Sequence, residues 1–204
     1  MPVAPGKRGN KEETKMKRAV MLAVGAVLVW SATSSSQNYH YPSIQRETNG
    51  DIRLVLSESQ ERAVKDFLMR HSDLELVKSH PGGSDGEWRK RVDEYMRSGE
   101  MQFPYAVWRD LNRDGLQDLV LVFATKRPIN NFGWRNRWIV VFEGKRGGGF
   151  RPIVVTNNEQ GSCFDGMLFH KAQGTVEFAC FNVAAGLFRW DGKEYAIIKH
   201  MVGD

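Results

Sequence analysis

Apolar positions along this chain change their period. Between Ser57 and Ser98 they recur at helical spacing, with Ala63, Val64, Phe67 and Leu68 forming one stripe and Trp88, Val92, Tyr95 and Met96 a second. Each stripe follows a capping-box pattern, Ser57-Glu58-Ser59-Gln60 and Ser84-Asp85-Gly86-Glu87. In such a box a hydroxyl and the side chain three residues on satisfy amides that the first helical turn leaves unbonded. Two helices are therefore predicted, the second ending at Ser98-Gly99. From Phe103 the spacing becomes that of strands, broken by turn residues, and strands are predicted near 103–109, 118–124, 136–142, 150–155, 166–170, 175–182, 186–190 and 194–199. Asp191-Gly192 and Gly147-Gly148-Gly149 read as turns. Shorter apolar groups stand at Ile52, Leu54 and Leu56 and at Leu74, Leu76 and Val77, the last a short strand. The plan is α+β, two N-terminal helices followed by an antiparallel β-meander of about eight strands.

The N-terminus follows another pattern. Lys7, Arg8, Lys11, Lys15, Lys17 and Arg18 precede the apolar run Ala19–Trp30 and the small residues Ser31-Ala32-Thr33-Ser34-Ser35-Ser36. That order is the one a secretory signal uses. The run is shorter than the about 20 residues of a membrane span, and no cysteine follows it for acylation. Residues 1–36 are thus expected to be a signal peptide or leader, cut in the zone Ser34–Gln37, with an uncleaved anchor as the alternative; Met16 would open a leader of more usual length. Residues 37–204 are expected to form a single domain, exported to the periplasm or beyond, with no transmembrane span in the mature chain.

Removing the leader changes the charge. Of 29 Lys and Arg and 24 Asp and Glu, six and two fall in residues 1–36, which leaves 23 against 22. A nearly neutral remainder lacks the unbalanced basic face that nucleic-acid binding needs. The cysteines, Cys163 and Cys180, flank a predicted hairpin around Lys171-Ala172-Gln173-Gly174, and in an exported chain they are expected to pair as a disulfide. Two buried thiols or a nucleophile at Cys163 remain the alternatives.

Candidate chemistry concentrates in Asp110-Leu111-Asn112-Arg113-Asp114-Gly115-Leu116-Gln117-Asp118. Asp110, Asn112 and Asp114 alternate, Gly115 permits a sharp bend, Leu116 offers a carbonyl and Asp118 closes the set, an arrangement suited to calcium as a structural ion. The alternative is an Asp and Asn turn held by hydrogen bonds alone. Leu121 stands where an EF-hand has its bidentate Glu, and strand-like sequence flanks the loop, which excludes the helix–loop–helix switch.

Past the loop come the apolar strand Leu119–Phe123, the strand Trp138-Ile139-Val140-Val141-Phe142 and the turn Gly147-Gly148-Gly149-Phe150. In this order residues 103–152 resemble the calcium-binding blade unit of FG-GAP and VCBS-type repeats, which occur in secreted bacterial proteins and in integrin α-chain propellers. A propeller needs at least four blades. With one copy present, the resemblance implies a metal-stapled strand pair.

A second region of interest is the long strand connection at 126–138. Its Arg127, Phe132, Trp134, Arg135, Arg137 and Trp138 could form a surface for an envelope glycan, peptide or protein; the alternative is that the tryptophans pack on the core and the arginines face water. No catalytic residue is assigned: His40, His71, His80, His170 and His200 lack zinc spacing, and no nucleophile elbow or nucleotide-binding glycine pattern occurs. The expected function is an exported, calcium-stabilised, non-catalytic binding or structural module of the cell envelope. A small envelope hydrolase with residues converging only in the fold, or an inhibitor or immunity-type partner of another secreted protein, are the alternatives. Oligomeric state leaves no mark on the sequence.

Overall fold

The computed structural model describes residues 41–80, 86–128, 135–157, 167–171, 174–180 and 184–202. The leader and Cys163 lie outside these residues, and so does the expected disulfide. The first strands are β1 (Ser43–Arg46) and β2 (Ile52–Val55), an antiparallel pair that places Ile52 and Leu54 in the core.

Helix α1 (Glu58–Arg70) begins where the capping box predicts. The Ser57 hydroxyl accepts from the Gln60 amide at 3.4 Å, and the Gln60 side chain accepts from the Ser57 amide at 2.8 Å. Its inner face carries Val64 and Phe67, and the Phe67 ring lies 5.0 Å from that of Phe123 and 5.8 Å from that of Phe142. Burial of this size supplies most of what holds a short helix in place.

Two further short strands, β3 (Leu74–Leu76) and β4 (Ser79–His80), precede helix α2 (Gly86–Ser98). Then come β5 (Ala106–Arg109), β6 (Asp118–Thr125), β7 (Arg137–Gly144) and β8 (Phe150–Asn157). The chain closes with β9 (Met167–His170), β10 (Val176–Cys180), β11 (Ala184–Trp190) and β12 (Tyr195–Val202).

These strands form three antiparallel sheets: β1-β2-β4, β3-β6-β7-β8 with β5 also on β6, and β12-β11-β10-β9. The expected α+β plan of two helices and then a single meander is therefore incorrect. The described residues are mostly β, with 46% strand against 19% helix among them. Among the described residues two strands precede α1, two separate it from α2, and the later strands divide into two sheets between β8 and β9. The cause is long-range pairing: β3 reaches β6 across α2, aligning Leu74 with Thr125 and Leu76 with Phe123. Local periodicity carries no information about such partners.

Strand β6 is the centre of the core. Leu119 to Ala124 are all at most 1% exposed, because β7 flanks one edge, β3 and β5 share the other, and both faces are covered. Burial on two faces is why its sequence is a continuous apolar run with no alternation. Residues 40–204 form one compact unit by their backbone contacts. Among the described residues no helix is long and apolar enough to cross a membrane, which says nothing of β-barrels.

Candidate functional site

The loop at 110–118 joins β5 to β6, and its side chains fold back onto its own backbone. Asp110 accepts from the amide of Asp114 at 3.2 Å and from that of Gly115 at 3.0 Å. Asn112 Oδ1 also accepts from the Asp114 amide, at 3.1 Å, while Asp114 accepts from the Leu116 amide at 2.8 Å. Arg113 (φ 63°) and Gly115 (φ 82°) take left-handed conformations that let the chain coil this tightly. Asp110 and Asn112 thus bring their oxygens to the Asp114 amide, while the Asp114 carboxylate turns to the Leu116 amide and the Asn112 side chain. The amide nitrogen of Asn112 donates to Asp114 at 3.0 Å and to Glu143 on β7 at 3.2 Å, and the Glu143 carboxylate is paired with Arg151 at 2.6 Å.

Asp118 behaves differently from the other three. It is 0% exposed, and its carboxylate accepts from the amides of Leu111 (2.9 Å) and Gly144 (3.0 Å) and from the hydroxyl of Tyr195 (3.1 Å). One carboxylate therefore ties the loop's start, the end of β7 and the first residue of β12. Burial pushes its pKa up to about 6 despite the three donors, and the Tyr195 hydroxyl is raised by burial and by the Asp118 charge. Gly144 is required at this junction, since a Cβ there would lie 2.4 Å from the Gln117 carbonyl oxygen.

The donor chemistry of the loop fits a hard cation: two carboxylates, an amide oxygen and the Leu116 carbonyl lie within one coil. The fifth expected ligand, Asp118, faces the core donors named above. Among the described residues no group of three or more His, Cys, Asp or Glu side chains gathers closely enough to hold an ion by itself.

The connection at 126–138 is drawn into the fold where it is described. The Trp138 ring sits 5.5 Å from His71 at the end of α1, Arg135 is paired with Glu75 on β3, and the Arg137 guanidinium lies 6.0 Å over the Tyr105 ring. Arg127 is exposed; Phe132 and Trp134 fall outside the described residues. Sequence reasoning missed Tyr195 and Glu143, whose roles depend on partners far along the chain and have no local signature. The one available signal was Asp118 itself, an acid opening an otherwise apolar central strand. Compared with family models, curated proteins and solved structures, the chain matches none.

Proposed function

We propose that the protein is an exported, calcium-stabilised module of the cell envelope that binds or organises a partner and catalyses no reaction of its own. The observation that carries this reading is the inward coil of Asp110, Asn112 and Asp114 between two strands of the central sheet. The residues that would hold calcium are Asp110, Asn112 and Asp114, with the Leu116 carbonyl, while Asp118, expected as the closing ligand, is engaged by core donors instead. When bound, the ion would neutralise carboxylates that repel one another and fasten β5 to β6. Extracellular sites of this type have dissociation constants of about 0.1–1 mM, a range suited to a structural staple. Against an enzymatic reading, the carboxylate with the raised pKa, Asp118, is sealed from solvent and beyond the reach of a substrate.

The test is thermal unfolding of the full chain in excess EDTA and in millimolar calcium. With calcium at about 10 times the dissociation constant a site of this kind stabilises by about 1.4 kcal/mol, so melting should rise by a few degrees. Asp114→Ala should abolish the rise. Identical melts for the unaltered chain with and without calcium would reduce the loop to a hydrogen-bonded turn.

A further inference from the structure

At the far end of β6 the sheet stops at β3, which is its outermost strand among the described residues. A groove of ≈ 620 Å³ runs between β3 and α1. The ladder determines which way the backbone of β3 points. The Val77 amide donates to the Val122 carbonyl at 3.1 Å, and the Lys126 amide to the Asp73 carbonyl at 2.7 Å. Residues 73, 75 and 77 therefore face β6, and the alternation of an antiparallel pair turns the amide and carbonyl of Leu76 away from it, at the margin of the groove. On either side the outer positions are used: the Leu74 amide donates to the His71 carbonyl at 3.0 Å, and the Lys78 carbonyl accepts from the Leu54 amide at 2.8 Å. Among the described residues Leu76 is the open rung between them.

The groove is apolar below and basic above. Leu56, Val64 and Leu74 are buried beneath it, and Met69 stands 66% exposed at its rim. Lys65, Lys78 and Lys126 surround it with Glu61 and Glu75, but the Glu75 carboxylate is taken by Arg135. Past Lys126 a second hollow of ≈ 570 Å³ adds Arg127 and Asp73. The rim thus carries a net positive charge over an apolar floor, beside a strand edge with an unused rung. A strand edge recognises an extended backbone, an apolar hollow recognises a side chain, and a basic rim selects acids.

We propose that the groove between α1 and β3 docks an extended segment of a partner protein, bearing an apolar anchor flanked by acidic residues, by addition of a strand to β3. The apolar anchor supplies affinity and the lysines supply selection. This deepens the binding-module reading and rests on it, yet shares no residue with the 110–118 loop. Failure of the calcium response and failure of peptide docking are therefore separate results.

The experiment pans a displayed library of random octapeptides against the immobilised full chain and remakes the enriched sequences as synthetic peptides. Enriched sequences should place Leu, Ile or Val between Asp or Glu. Their affinity should fall about tenfold when Lys65 and Lys126, both exposed, are changed to Glu, and because the Lys126 ammonium also holds the Ser72 carbonyl at 2.7 Å, Lys65→Glu alone should show part of the same fall. Peptide binding should also slow hydrogen exchange at the Leu76 amide, which a purely electrostatic contact would leave unchanged. Peptides with Lys in place of each acid test the same point on the unaltered chain and should not bind. The proposal is overturned by a lack of enrichment, by enrichment of basic sequences, by equal affinity for the double variant, or by an unprotected Leu76 amide. Attachment of the chain to phosphatidylglycerol vesicles through the same lysines, with no peptide bound, overturns it in favour of a membrane surface.

Discussion

The two ends of β6 solve opposite problems. At its start, Asp118 is sealed in the core and its carboxylate is met by two amides and a hydroxyl from three separate segments. At its end, near Phe123 and Thr125, the sheet runs out of strands at β3 and leaves a basic, apolar-floored groove. The same apolar strand thus terminates once in a closed polar knot and once in an open edge. A closed knot holds the fold together, because each buried donor in it would lose a partner if the acceptor left. An open edge contributes little to stability and is available for recognition.

Removing the acceptor is the most direct way to break this contrast. Asp118→Ala should strand the Leu111 and Gly144 amides and the Tyr195 hydroxyl and lower stability by about 3 kcal/mol, read as a drop in the urea midpoint. A loss below about 0.5 kcal/mol would mean that the knot is ornamental. A second measurement uses protons instead of mutation. In EDTA, burial raises the Asp118 carboxyl from 3.8 to about 6, so between those values the folded chain keeps a proton that the unfolded chain has released. Stability should therefore fall as pH rises through this window, and the fall should shrink in Asp118→Asn. A midpoint that climbs in this window in the unaltered chain and the variant alike would show that other carboxylates dominate. The smallest effect is expected at the other end. Met69→Glu, at a side chain 66% exposed, should move stability by no more than about 0.5 kcal/mol. A larger loss would mean that the groove is closed in solution.

Much of the local structure was legible because its causes are local. Ser57 and Gln60 cap α1 through atoms three residues apart, Asp191 holds its turn by accepting from the amides of Lys193 and Glu194, and the strands of the second half lie close to where their spacing places them. The assembly of those strands was not legible. Leu74 and Leu76 look like a marginal strand until they are set beside Thr125 and Phe123, and the reading of one meander failed because sheet membership is decided by partners far apart in sequence. The 126–138 region shows the same limit. Its alternation separates Trp138 from Arg137, but only the fold places Trp138 against His71 and Arg137 over Tyr105.

What the sequence by itself determined is the set of short-range devices: the helix cap, the tight turns, the apolar strand near 118–124 and the oxygen-rich coil at 110–118, each complete within about ten residues and governed by backbone geometry. Tertiary structure alone decided that Asp118 faces Tyr195, 77 residues away, that Glu143 stands behind Asn112, and that β3 ends a sheet it enters from the other side of α2. The physical reason is that burial and donor count belong to a place in the fold: the same aspartate is a solvated ligand or a sealed acceptor according to which strands close over it.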